Sequence, residues 1–232
     1  MTPLRIVAAG DAALVAEFDN RIDADVNAHT VALAEHVRVH AVRGVRDVVP
    51  TFRSVAVYFD PLATDVDALA TMLRQATPMP MRDHVSATAV INVPVCYDSN
   101  YGPDLEDVAK RADLDPESVV SIHAGCDYRV FMLGFVPGFA YLGTVDPRIA
   151  APRRETPRLE VPAGSVAIAG QQTGVYPSQT PGGWNIIGRT PLRTWRPHAA
   201  RPALFRAGDT VRFRCIDRDA FDRIAAGQEG AA

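Results

Sequence analysis

Apolar positions alternate with polar or small ones at residues 5–8, where Ile6 points inward, and at 13–18, where Leu14, Ala16 and Phe18 share a face. The two stretches predict a hairpin across Gly10-Asp11. The period then lengthens to that of a helix: Asp23 is placed to cap it, Val26, Leu33 and Val37 recur at helical spacing, and Gly44 lies where it would stop. Residues 45–49 and 54–59 return to β-rich composition on either side of Pro50. After Pro61 a second helix at 65–75 carries the stripe Val66, Leu69, Met72 and Leu73. Strand, helix, strand, strand, helix is the order of a split βαβ, ferredoxin-like unit, whose last strand residues 88–95 could supply. A linker at 77–80 follows, and a joint within 77–85 gives an expected small α/β domain at 1–82 and a second domain at 83–232.

The second half reads differently. Residues 89–95 form a strand, Tyr101-Gly102-Pro103-Asp104 turns the chain into a helix, and Asp104, Glu106 and Asp107 lie in its first turns, where the helix dipole favours anions. A helix started by Pro116 runs to about His123, and a strand at 128–133 leads to Gly134. From there strands and turns dominate. Residues 165–169 alternate Val166 and Ile168 with small residues, as a short half-buried strand does; 192–195 and 210–216 are further strands, the last with Val211, Phe213 and Cys215 alternating against arginines. Pro137-Gly138 and Pro181-Gly182 each set a φ-locked residue before one free to take positive φ, the order of a type II turn. The pattern is therefore α+β, with a β-rich second half.

Composition narrows the class. With 232 residues, 47% of them hydrophobic, and a net charge of -3, the chain is that of a soluble globular protein of one or two domains. No apolar run reaches membrane-spanning length and the N-terminus lacks a signal-peptide pattern, so neither export nor a span is expected. Cys96, Cys126 and Cys215 are odd in number and lack metal-ligand spacing, which suits reduced thiols in a cytoplasm and argues against structural zinc. Charge is uneven: residues 1–147 carry 11 basic and 20 acidic residues, and 148–223 carry 13 and 6. A basic C-terminal half suits an anionic substrate, a phosphate or an acidic partner surface, or else docking of one half on the other. Nucleic acid is not indicated.

Candidate chemistry gathers at 134–189. A Walker-type nucleotide loop is excluded, because the sole lysine, Lys110, lies in VAKRAD; GxSxG, HExxH and GxGxxG are missing too. His123 could serve as general acid or base, or as a hydrogen-bonding cap at a helix end. His36 and His40 could share a helix face as a metal pair or as a solvated surface. Arg153, Arg158 and Arg189, with Arg154 beside them, could clamp a carboxylate or phosphate, or pin loops by bonding carbonyls. Gln171, Gln172 and Tyr176 can hydrogen-bond an amide or lactam; Phe135, Phe139, Tyr141 and Trp184 can wall an apolar pocket or fill the core. Placed beside turns, Arg153, Arg158, Gln171, Tyr176 and Arg189 are expected to converge on one pocket mouth.

Four ordered motifs carry a resemblance: PVCYDSNYGPDLEDVA, HAGCDYRVFMLGFVPGFAYLG, PRLEVPAGSVAIAGQQTGVYP and TPGGWNIIGRTPLR, together spanning 94–193. The chain resembles the family called allophanate hydrolase subunit 1, the 5-oxoprolinase B subunit or the sporulation-kinase inhibitor family. The resemblance implies a cyclophilin-like β-barrel after a small α/β domain. It also implies a larger partner subunit of related barrel fold, with which such chains open 5-oxoproline to glutamate using ATP, and a third component that binds oxoproline. His123, Arg158 and Arg189 would then be catalytic. ATP would sit in a site shared with the partner, with no metal ligand set in this chain. The older name implies instead a urea- or allophanate-handling complex, any biotin coming from a partner. The third implies a non-enzymatic inhibitor of a sensor histidine kinase.

Overall fold

A computed structural model describes residues 4–76 and 90–229, and the chain divides into two compact units, Met1–Thr88 and Ala89–Ala232. The expected linker and domain joint fall outside the described residues.

In the first unit β1 (Arg5–Ala8) and β2 (Ala13–Glu17) form the expected hairpin; α1 (Ala24–Val39), β3 (Val45–Pro50), β4 (Ser54–Phe59) and α2 (Val66–Ala76) follow. Asp23 caps α1 by accepting from the amides of Asp25 and Val26, satisfying two donors that a helix start leaves orphaned. The antiparallel sheet has the order β1-β2-β4-β3. Its inward residues Leu14, Ala16, Val55, Val57 and Phe59 form one core with Leu33 and Val37 of α1 and Leu69 and Leu73 of α2. The edge beside β2 is held by β1, not by the segment at 88–95: β5 (Val90–Val95) belongs to the second unit's sheet, where an apolar strand finds a parallel partner.

The second unit continues with α3 (Leu105–Ala112), α4 (Pro116–Ala124), β6 (Asp127–Leu133), β7 (Ala140–Gly143), β8 (Arg158–Val161), β9 (Ser165–Ala169), β10 (Gln172–Val175), β11 (Thr180–Gly182), β12 (Asn185–Arg189), β13 (Thr210–Cys215) and α5 (Arg218–Glu229). Seven strands run in the order β12-β9-β10-β7-β6-β13-β5. The two edges meet where Cys96 and Arg189 exchange both backbone hydrogen bonds at 2.9 Å, so the sheet curls into a nearly closed barrel. Tyr128, Val130, Leu142, Val166, Ile168, Val175 and Phe213 fill it, and α3 and α4 pack on the same core.

Several elements differ from the pattern reading. Strand β9 is buried along its whole length, because Val166 and Ile168 face the barrel core while Ala167 and Ala169 lie under a second apolar cluster outside it. Pro137-Gly138 makes its turn, Gly138 at φ 85° and the Phe139 amide donating to Val136 O. Pro181-Gly182 does not, since Thr180–Gly182 is a strand paired with β8. Residues 192–195 contribute only a single bridge, Trp195 to Ala203, and the C-terminal helix α5, with Phe221, Ile224 and Ala225 at helical spacing, lies beyond the elements the pattern reading named. The charge asymmetry lies within the second unit rather than between the two: from residue 89 onward sixteen acidic residues balance sixteen basic ones, and Asp98, Asp104 and Asp127 pair with Arg218, Arg158 and Arg212. Among the described residues no helix is long and apolar enough to cross a membrane.

Candidate functional site

The wall formed by β7, β10, β9 and β12 has two apolar faces. Strand alternation sends Leu142, Thr173, Val175, Val166 and Ile168 inward, leaving Tyr141, Gly174, Tyr176, Ala167 and Ala169 on the outside. On that outer face Phe139 is the hub: its ring stands edge-on to Tyr141 at 4.9 Å, Tyr176 at 5.2 Å, Trp184 at 5.5 Å and Phe135 at 5.6 Å between centroids. Such T-shaped contacts set the positive ring edge against the negative face of the next ring. Phe139, Tyr176 and Trp184 are buried, Tyr141 is half-buried, and Phe135 is 59% exposed at the tip, at a left-handed φ of 70° that a bulky residue adopts only at a cost.

The floor of this platform is made of small residues for a steric reason. A Cβ on Gly174 would lie 3.0 Å from both Phe139 Cζ and Ala140 O and 3.2 Å from Trp184 Cζ3. Gly174→Val is therefore expected to destabilise the protein by about 2 kcal/mol through overpacking and to change Trp184 fluorescence. Unaltered emission and melting temperature would show that the platform can shift.

The predicted site residues separate into four places. Arg153 is exposed and close enough to Tyr141 and Tyr176 for its charge to oppose the rise that burial imposes on both phenols. Burial prevails, so both stay protonated at neutral pH and can donate hydrogen bonds. Arg158 also reaches Tyr176 electrostatically, but its guanidinium is occupied: Nη1 and Nη2 donate to Asp104 at 2.8 and 2.7 Å, and Arg154 Nη1 donates to the same carboxylate at 2.6 Å. Gln172 shares the outer face with Gly174 and Tyr176 at the far end of β10, and Gln171 is exposed on the turn before it. Four residues of strand hold Gln172 roughly 13 Å from Tyr176. Arg189 lies at the barrel seam, 5.4 Å above the Tyr101 ring, where burial lowers its pKa and leaves Nε without a partner among the described residues. Arg153, Arg158 and Tyr176 thus come together, while Gln171 and Arg189 do not join their mouth.

His123 sits inside the barrel with no exposed surface. Thr173 Oγ1 donates to Ala167 O at 3.0 Å and so accepts from His123 Nε2, also at 3.0 Å; Nδ1 is then the acceptor of the Tyr97 hydroxyl at 2.8 Å. Phe213 stacks on the ring at 4.6 Å, and burial lowers the imidazole pKa to about 3. A neutral ring with both nitrogens engaged holds the core together; it has no proton to exchange with a ligand near pH 7. His36 and His40 do share a helix face, their rings 4.0 Å apart, and among the described residues no three His, Cys, Asp or Glu side chains gather as a metal site.

Sequence reasoning missed Asp104 as the anion that satisfies Arg154 and Arg158, because its partners lie 50 and 54 positions away. It also missed a cavity of about 820 Å³ at the ends of β5 and β13, whose charged lining is Asp98, Glu106, Glu117 and Asp217 against Arg218. That excess of carboxylates disfavours a polyphosphate there.

A nearly closed barrel with an aromatic cluster on its outer wall finds its class by comparison: the family described as "Carboxyltransferase domain, subdomain C and D" matches residues 4–205, and the chain belongs to it. Within that class it is 40% identical over 221 residues to the B subunit of 5-oxoprolinase from Bacillus subtilis (strain 168), covering 90% of this chain and 92% of that protein. It is 51% identical over 123 residues to the B subunit of 5-oxoprolinase from Escherichia coli O157:H7, covering 53% and 56%. Among solved structures, TTHA0988 superposes with a TM-score of 0.81 at 36% identity over 88% of this chain, which spans 40% of that longer one.

Proposed function

We propose that the chain is the B subunit of an ATP-dependent 5-oxoprolinase complex, which opens 5-oxo-L-proline to L-glutamate together with a larger partner subunit and a third, oxoproline-binding component. The observation that carries the reading is the near full-length match to a 5-oxoprolinase B subunit. The platform suits the chemistry. A lactam is flat and uncharged, so it packs on edge-on aromatics, beside the half-buried, protonated phenol of Tyr141. The carboxylate of the same molecule suits Arg153, the arginine that lies exposed beside them. Because an amide is a poor electrophile, phosphorylation of its oxygen by ATP, with ADP leaving, readies the ring carbon for water; the C–N bond then breaks, the nitrogen takes a proton to become the amine of glutamate, and inorganic phosphate is released. The nucleotide site is shared with the partner, as no Walker loop exists here.

The architecture is read in the same terms. The barrel is cyclophilin-like; the first sheet, with β4 between the mutually parallel β2 and β3 that α1 connects, is a split βαβ unit. Two domains joined within 77–85, working in a cytoplasm, complete the proposal.

Co-expression with the larger subunit tests it. The assembled complex should release ADP only when 5-oxoproline is present, and Arg153→Ala should raise KM for oxoproline by roughly tenfold while leaving the melting temperature unchanged. An assembled complex without oxoproline-dependent ADP release would overturn the reading.

A further inference from the structure

We propose that Arg189 receives the phosphate chain of a nucleoside triphosphate, two strands away from the aromatic cluster. The inference rests on the oxoprolinase reading, which requires ATP in a chain without a Walker loop, and it assigns a cation that such a loop would have supplied. Other half-exposed arginines of the barrel have anions of their own: Arg154 and Arg158 share Asp104, Arg212 has Asp127 and Arg218 has Asp98. Among the described residues no carboxylate pairs with Arg189, and its enclosed Nε has no acceptor. Burial lowers its pKa, opposed only by the nearby Tyr101 phenol. A cation partly withdrawn from water without a counterion costs stability that an incoming anion restores.

Strand register fixes where this guanidinium stands. Tyr176 N donates to Ser165 O at 2.9 Å, and Ser165 lies opposite Arg189 in the pairing of β9 with β12, so Tyr176, Ser165 and Arg189 form one row across three strands. Alternation puts that row on the outer face of the barrel, since Val175 and Val166 of the next row face the core. Two inter-strand spacings, about 10 Å, separate the Arg189 and Tyr176 backbones, a distance that a triphosphate chain can span and a single phosphoryl group cannot. Ser165 is buried, so the chain would cross above it. Arg189 therefore meets the phosphates that are not transferred, while the terminal one approaches the lactam. The side chain is held still for that task. Arg189 and Cys96 exchange both backbone hydrogen bonds at 2.9 Å, Thr190 N donates to Gly164 O at 2.9 Å, and a Cβ on Gly164 would lie 3.3 Å from Arg189 Cγ. Its guanidinium lies over the Tyr101 ring, on which Phe221 stacks at 4.5 Å. Arg189 does not line the carboxylate-rich cavity at the ends of β5 and β13. A planar fork held in this way meets two phosphate oxygens at once, with a geometry that a point charge cannot supply.

Calorimetric titration of ATP into the complex assembled with the larger subunit, together with KM for oxoproline from its ADP release, tests the proposal. Arg189→Gln should weaken ATP binding roughly tenfold or more while KM for oxoproline stays at the parental value, and Arg189→Lys, which keeps the charge but not the fork, should fall between. Arg148→Gln, at an exposed arginine paired with Asp146, should change neither constant. If Arg189→Gln does not fold, Arg189→Lys carries the same criterion. An assembled Arg189→Gln complex that binds ATP as the parent does overturns the proposal. So does an equal weakening toward ATP and oxoproline with a lower melting temperature, which assigns Arg189 to the fold, or loss of assembly, which assigns it to a carboxylate of the partner. A parent complex that binds ATP through Arg189 yet shows no oxoproline-dependent ADP release overturns the functional reading alone, and one that binds no ATP overturns both.

Discussion

Replacing Asp104 by alanine is expected to destabilise the protein by about 3 kcal/mol, among the largest effects of any single substitution outside the apolar core. Asp104 is only 2% exposed, yet it accepts from Arg154 Nη1, from both Arg158 terminal nitrogens and from the Ile186 amide at 2.7 Å. Its own amide donates to Ile186 O at 2.9 Å, so α3 is tied to β12 through one residue. Removing the carboxylate orphans the buried Ile186 amide and leaves two guanidiniums without their anion. Those side chains retain 33% and 25% exposure, so water recovers part of their charge solvation and the loss stays toward the lower end for a broken buried pair. Arg158→Ala should cost less, since Arg154 and the Ile186 amide still serve Asp104, but melting temperature and activity should fall together. Urea denaturation of both variants measures this. A loss below about 1 kcal/mol in Asp104→Ala would mean that the cluster is hydrated and holds nothing.

The second large effect is a pH dependence seated in His123. Unfolded, its imidazole titrates near 6.5; folded, burial lowers the pKa to about 3. Below pH 6.5 the unfolded chain takes up a proton that the native state refuses, so native stability falls as pH falls, and the loss is complete only near pH 3. Between pH 7 and 4.5 this group alone should remove about 3 kcal/mol, from a slope of roughly 1.4 kcal/mol per pH unit. Carboxylates titrate in the lower part of the window, so the decisive measurement is a difference. Stability curves of the parent and of His123→Gln, which keeps hydrogen-bonding capacity toward Tyr97 and Thr173, should converge on acidification from pH 7 to 4.5. Parallel curves would show that the imidazole protonates in the native state and that the barrel interior admits water.

Local chemistry settled much of the architecture in advance. Asp23 before a helical stripe caps α1, Pro137 before Gly138 makes a type II turn, and the alternation in residues 210–216 appears as β13 with Val211 and Phe213 inside. These outcomes depend on neighbours within a few positions, where propensity and period act directly. The aromatic cluster outside the barrel was legible for the same reason, because Phe139, Tyr141 and Tyr176 flank turns that return them to one face of adjacent strands. What the sequence could not decide was which polar groups find each other across fifty or more residues. Asp104 reads as a helix-dipole acid until β12 and the Arg154–Arg158 segment close over it. His123 reads equally as an acid, a base or a cap until Tyr97, Thr173 and Phe213 enclose it. A carboxylate, an imidazole or a guanidinium takes its role from its dielectric surroundings and its partner, and both are set by barrel closure rather than by the residues beside it in the chain.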